Sequence, residues 1–231
     1  MLVIGFPAAA FATNCYLVAA APGEECLVVD PGIGVLGQLA DTLAQHRLRP
    51  AAVLATHGHL DHIYSVTPVC GAHGVATYVH PDDRYRVADP ISSLDPALLA
   101  MLEQQFGPTR WQQPDDVRPV RDGETLQLAG LPITVLHCPG HTEGSVMFSL
   151  PRSAAGADEA AATVLSGDVL FAGSIGRTDL AGGDHAAMQR SLREQVLPLP
   201  DDTVVLPGHG PATTIGRERT SNPYLTELRP A

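Results

Sequence analysis

Short apolar runs punctuated by Gly, Pro and Asp recur along this chain, and their lengths suit strands more often than helices. Leu2–Phe6 and Cys15–Ala19 read as two opening strands joined by a turn, and Glu25–Val29 as a third. Ala51–Ala55, Ala76–Val79, Ser145–Leu150, Thr163–Leu165 and Thr203–Leu206 repeat the pattern. Glu124–Leu128 and Ile133–Leu136 predict a hairpin around Ala129-Gly130. Helical spacing shows at Val35, Leu36, Leu39 and Leu43, which predicts a helix over Val35–His46. Further helices are expected over Ile63–His73, near Pro96–Phe106, and over His185–Val196 behind Asp184 as its cap. Strands in two similar groups with helices between them predict an α/β layered architecture.

Polar residues of one chemical type follow several of these strands. After Ala51–Ala55 comes Thr-His-Gly-His-Leu-Asp-His, which places His57, His59, Asp61 and His62 close together. Thr134-Val135-Leu136 leads to His141, Thr163-Val164-Leu165 to Asp168, and Thr203-Val204-Val205-Leu206 to His209. Residues just beyond sheet strands converge at one edge, where α/β proteins build their sites. One His-x-His pair is ordinary, but four such clusters in the same strand-then-ligand context point to a two-metal hydrolytic site. Nitrogen and oxygen donors without thiolate suit two divalent ions, Zn²⁺ first, with Fe²⁺ or Mn²⁺ compatible. A purely structural metal site fits less well, because such sites close their coordination, usually with cysteine.

The order His-x-His-x-Asp-His, lone His, Gly-Asp, Gly-His resembles the metallo-β-lactamase superfamily, over about Met1 to Tyr224. Asp30 in Val-Val-Asp-Pro-Gly, Pro139-Gly140-His141-Thr142 and Gly173-Ser174-Ile175-Gly176-Arg177-Thr178-Asp179 look like its compact glyoxalase II branch. The resemblance implies an αββα sandwich in a single domain over 1–231. It implies one metal held by His57, His59 and His141, a second by Asp61, His62 and His209, and Asp168 bridging both. A hydroxide between the metals is the implied nucleophile, with Asp61 also orienting it as a catalytic group. The implied reaction is hydrolysis of a small-molecule thioester such as S-D-lactoylglutathione, since a thiolate leaves without a strong general acid. Arg177 aligns with a cationic substrate-binding position, against which stands an ion pair with Asp179. About twenty residues follow His209, fewer than in longer glyoxalase II enzymes, so another thiol such as mycothiol is open, and Arg217 and Arg219 either contribute or cap the last helix. The principal alternative is a persulfide dioxygenase using mononuclear iron; a lactonase or β-lactamase of the same fold ranks lower.

The formal net charge of -11, with no lysine, leaves no basic face for nucleic acid. Cys15, Cys26, Cys70 and Cys138 lack Cys-x-x-Cys spacing and read as reduced core thiols of a cytoplasmic protein. Met1–Pro22 is apolar but lacks a basic start and is interrupted by Asn14, which argues against a secretory leader, and no run is long enough for a membrane span. Oligomeric state is not written in any motif. From Pro81 to Pro119 the chain is rich in Pro, Asp and Gln. This segment either caps the site, with Trp111 or Tyr85 on a substrate wall, or is an insertion whose Leu98, Leu99 and Leu102 only cover the sheet. His137 and Cys138, near His141, are expected to pack as ordinary core residues. Ser153–Ala162 reads as a loose hairpin loop.

Overall fold

The computed structural model describes residues 1–92, 94–108, 111–151 and 162–228. The first sheet runs in chain order: β1 (Leu2–Pro7), β2 (Asn14–Ala19), β3 (Glu25–Val29), β4 (Arg49–Leu54), β5 (Thr77–Val79) and β6 (Val117–Pro119). The pairs from β1 to β3 are antiparallel and those from β3 to β6 parallel. The parallel pairs need crossovers, and all three contain helices, the first two being α1 (Leu36–His46) before β4, then α2 (Leu60–Ile63) and α3 (Val66–His73) before β5. The segment at 81–119 holds a 3₁₀ turn (Pro81–Asp83), α4 (Arg84–Ala88), α5 (Pro96–Phe106) and β6.

The second sheet takes β7 (Thr125–Leu128), β8 (Leu131–His137), β9 (Val146–Leu150), β10 (Thr163–Gly167), β13 (Val204–Pro207) and β14 (Thr213–Thr214), with β7 and β14 at its edges. Two short strands, β11 (Leu170–Phe171) and β12 (Ser174–Ile175), form a separate hairpin. Helix α6 (His185–Ser191) continues into a π turn (Leu192–Val196), and α7 (Ile215–Ser221) and α8 (Pro223–Thr226) follow β14.

Alternation along the strands sorts side chains into layers. Val18, Leu27, Val29 and Leu54 of the first sheet meet Val135, Val146, Phe148 and Leu165 of the second in one buried cluster. Their neighbours Leu17, Val28 and Val53 pack instead with Leu39, Leu43, Val66 and Val69 of the helices. Met147, Val164 and Val205 do the same against Met188, Leu192 and Val196. The result is the helix, sheet, sheet, helix sandwich in one domain.

Local details differ from the sequence reading. The helix expected over Ile63–His73 starts earlier, at Leu60, and breaks at Tyr64–Ser65, where Ser65 donates from its N–H to the Pro31 carbonyl (2.8 Å) and from Oγ to that of Gly32 (2.7 Å). The second hairpin arm begins at Leu131, because Ala129 and Gly130 both take positive φ and close a two-residue turn. Helix α6 is capped as expected, with Asp184 accepting from the Ala187 N–H. Strands β6, β11, β12 and β14 are too short to carry a periodicity signal. The loop expected at Ser153–Ala162 lies outside the described residues up to residue 161. Among the described residues no helix is long and apolar enough to cross a membrane.

Candidate metal centre

Each chemical residue sits where a strand ends. Asp30 follows β3 with φ +50, a strained position for a residue with a side chain. Its carboxylate accepts from the Thr56 N–H (2.8 Å), the Thr56 hydroxyl (2.6 Å) and His62 Nδ1 (2.9 Å), which ties the His-rich loop after β4 to the end of β3. A second carboxylate does the same job on the other side. Asp83, fully buried, accepts from the Gly58 N–H (2.7 Å), the Thr142 hydroxyl (2.7 Å) and the Gly144 N–H (2.9 Å). It therefore joins the loop of His57 and His59 to the loop of His141. Glycine is required at both joints: a Cβ at Gly58 would lie 2.6 Å from Arg86 Cβ, and one at Gly144 2.6 Å from the Asp83 nitrogen.

The loops gather the sequence-predicted residues into one cluster. His59 Nδ1 lies 3.1 Å from His57 Nε2 and 2.9 Å from His141 Nε2. His62 Nε2 lies 3.3 Å from His209 Nε2, and Asp61 Oδ2 is 3.5 and 3.4 Å from these two atoms. Asp168 stands between the groups, with Oδ1 3.4 Å from His62 Nε2 and Oδ2 3.5 Å from His141 Nε2. Three sets of donor atoms, His57/His59/His141, Asp61/His62/His209 and His57/His62/Asp168, each fall within 4.8 Å of one another.

Outward hydrogen bonds orient four of the rings. His57 Nδ1 donates to the Thr56 hydroxyl (3.1 Å), His62 Nδ1 to Asp30, His141 Nδ1 to the Arg177 carbonyl (2.8 Å) and His209 Nδ1 to the Phe11 carbonyl (3.1 Å). With Nδ1 turned outward, each Nε2 points inward. Nε2 of His62 and His209 then meet at 3.3 Å, and a cation binding there would take the place of any proton they hold. Asp168 Oδ1 is buried without a hydrogen-bond partner in the same place, and such an orphaned oxygen is costly unless an ion answers it. The donor set therefore fits divalent metal.

Charge in the cluster is strongly coupled. Burial, with the neighbouring His141, pushes His59 down to about 3. Burial also acts to lower His62, but Asp61, Asp168 and Asp30 outweigh it and push that ring up to about 10. For Asp61, burial is overcome by His62, His209 and the Thr13 hydroxyl (2.9 Å), which hold the carboxyl well below its usual range.

Beside the cluster lies a cavity of about 700 Å³, lined by His59, Asp61, His141, Asp168 and His209 on one side. Arg86, Pro90, Leu94, Asp95, Leu98 and Leu102 from the segment at 81–119 line it on another. The wall is thus partly built by that segment, but not by the residues expected. Trp111 points away and donates Nε1–H to the Val87 carbonyl (3.0 Å), and Tyr85 donates to Glu143 at the surface. Arg177 borders the cavity and pairs with Asp179 (2.7 and 2.8 Å), the ion pair that the sequence reading set against substrate binding. Arg219 is structural, bonded to Asp201 and the carbonyls of Leu197 and Leu199. His137 stacks on His80 at 3.8 Å and donates to the Glu143 carbonyl, and Cys138 is core. Thr13, Asp83 and Arg86 went unnoticed because single residues far from the ligand motifs carry no spacing signal.

The metallo-beta-lactamase superfamily model matches residues 8–209, the span from the Asp30 strands to the last histidine of the cluster. The chain belongs to the metallo-beta-lactamase superfamily. Members of this superfamily are metal-dependent hydrolases, and the His/Asp groups here are the candidate metal-binding residues. An uncharacterized protein of Mycobacterium tuberculosis is 46% identical over 99% of both chains. Hydroxyacylglutathione hydrolase GloC of Haemophilus influenzae is 33% identical over 95% of both. The crystal structure of the BLEG-1 B3 metallo-beta-lactamase is 35% identical, covers 97% of this chain and 100% of that one, and superposes with a TM-score of 0.79.

Proposed function

We propose that this metallo-beta-lactamase superfamily member hydrolyses thioesters at a pair of divalent ions. The observation that supports it most is the buried Asp168 oxygen that accepts no hydrogen bond, set among inward-facing imidazole nitrogens. His57, His59 and His141 would hold one ion, Asp61, His62 and His209 the other, and Asp168 both. Zn²⁺ suits the donors, as do Fe²⁺ and Mn²⁺. When bound, such ions supply Lewis acidity and make water ionise near neutral pH.

The chain's own groups do the rest. Asp61, kept ionised by its neighbours, accepts a hydrogen bond from the attacking water and so aims its oxygen at the thioester carbon. A C–O bond forms as the water gives up a proton to solvent, the C–S bond breaks, and sulfur leaves as a thiolate that takes a proton back from solvent. Among the described residues no side chain on the cavity wall is placed as a strong acid, and a thiolate needs none. The likeness to the Haemophilus hydroxyacylglutathione hydrolase supports a thioester, and S-D-lactoylglutathione is the first substrate to test.

The test is turnover of that thioester by the Zn²⁺-loaded protein, alongside metal content. Turnover lost in Asp168→Ala supports the reading. The likeness to BLEG-1 makes a β-lactam the comparison substrate, and cleavage of it in place of thioesters would replace the proposal. So would one iron per chain with oxygen uptake on a persulfide. A cytoplasmic location belongs to the same proposal and is read by fractionation.

A further inference from the structure

Resting on that hydrolase reading, we infer that the substrate presents an uncharged aliphatic group to the cavity beside the metal cluster. The wall facing the cluster is apolar: Leu98 and Leu102, one helical turn apart on α5, stand with Leu60, Leu94, Phe171 and Ile175. On the rim, Phe11 and Leu180 are left 44% and 41% exposed. Large apolar side chains at the mouth of a concave site are what a ligand covers.

Charge on this wall is already answered. Beyond the His/Asp cluster, the described charged residues lining the cavity are Arg86, Asp95 and Arg177. Arg86 is buried and donates to Glu143 (2.8 Å) and to the Ala181 carbonyl (2.7 Å). Asp95 caps α5, accepting from the N–H groups of Ala97 and Leu98. Arg177 is bound to Asp179 at the surface, where the pair opens easily, so a charge is tolerated at the mouth. Beneath the mouth, contact with hydrocarbon is what the wall offers. The aliphatic group belongs to either the acyl side or the thiol side of the substrate, and two ligand series separate them.

The experiment uses uncleavable ketone analogues, R–CO–CH₂–S–R′, titrated calorimetrically into the Zn²⁺-loaded full chain. One series lengthens R with R′ held as methyl, and the other lengthens R′ with R held as methyl. We expect Kd to fall about fourfold per added methylene in one series until the cavity is filled, the value for burying a CH₂ group. Leu98→Glu should flatten that slope, and Leu98→Thr should reduce it if the first variant folds poorly. Kd flat in both series overturns the inference, as does tighter binding of the ketone analogue of S-lactoylglutathione than of every aliphatic analogue. Hydrolysis of the matching thioesters is scored separately. A chain-length slope without turnover would keep the aliphatic cavity and remove the hydrolase reading, whereas turnover without a slope would do the reverse.

Discussion

The cluster and the wall across the cavity are held by different forces. Around the cluster, side chains are fixed by polar bonds: Asp30 and Asp83 each accept three donors, and four imidazoles are locked through Nδ1. On the wall, α5 lies over Ala10, Ile33 and Leu60 through Leu102, with Leu98 and Phe106 beside it, and hydrocarbon contact does the holding. Polar bonds fix atoms to a few tenths of an ångström, as a metal site requires, while apolar packing tolerates changes of shape. One region is built for a single geometry, and the other for a class of group.

The sharpest way to break this contrast is at its centre. Asp168→Ala removes the carboxylate between the two sets of nitrogens, and metal analysis should find one of the two ions lost, with kcat down a thousandfold or more. Retention of both ions with normal turnover would remove Asp168 from the site.

Asp83 comes next. Replacing it by Ala leaves two buried N–H groups and a hydroxyl without their acceptor, each omission worth about 1–3 kcal/mol. Because it joins the two ligand loops, metal affinity should drop about 10–100-fold, in the range seen for residues that orient ligands. Asp83→Asn keeps one acceptor oxygen and should fall between. If equilibrium dialysis shows unchanged metal affinity in a variant that is merely less stable, the joint is structural only.

The wall should behave in the opposite way. Leu102→Ala, 4% exposed in the wild type, should lower stability by about 2–4 kcal/mol in denaturant titration. Metal content should stay at the wild-type level. Loss of metal in this variant would show that the wall positions the cluster after all.

The same contrast explains what the sequence made legible. His57, His59, Asp61, His62, His141, Asp168 and His209 were visible because each follows an apolar strand, and strands that run in the same direction bring the residues after them to one sheet edge. The α/β layers followed from the same runs, whereas the two-sheet sandwich came from the resemblance to the superfamily. Asp83 was not visible: one Asp in Pro81-Asp82-Asp83 looks like any turn residue, and only the folded chain brings it to Gly58 and Thr142. Trp111 and Tyr85 are the residues the sequence offers for the wall, yet the segment lines the cavity with Arg86, Pro90, Leu94, Asp95, Leu98 and Leu102 instead. Which face a short insertion buries depends on tertiary contacts that local pattern does not encode.

A smaller effect is expected away from both regions, at the stacked pair His80 and His137. Burial, with His137 beside it, pushes His80 down to about 4, while Asp82, Asp122 and Arg121 also face it. The unfolded chain protonates this ring near 6.5, so the folded state holds fewer protons between those values. Its contribution is present above about pH 6.5 and is lost as pH falls toward 4. His80→Phe keeps a ring against His137 and removes the titration, so its Tm should fall less steeply than the wild type's over that window. Equal slopes would assign the acid sensitivity to other groups.

The smallest effect concerns the cysteines, and it asks whether the cluster supports the layers beneath it. Burial pushes Cys26 and Cys70 up to about 12 and raises Cys15 and Cys138 further. The thiolate is the reactive form, so iodoacetamide at pH 8 should label none of the four in the folded protein and all of them in denaturant. These thiols sit among hydrocarbon side chains in the two helix-facing clusters. Removing metal with a chelator should therefore leave them protected, since the sandwich is held by hydrocarbon and Asp30 and Asp83 keep their loops without it. Labelling that rises on chelation would mean that the ions hold the core shut, and the separation between a polar site and an apolar scaffold would no longer describe this molecule.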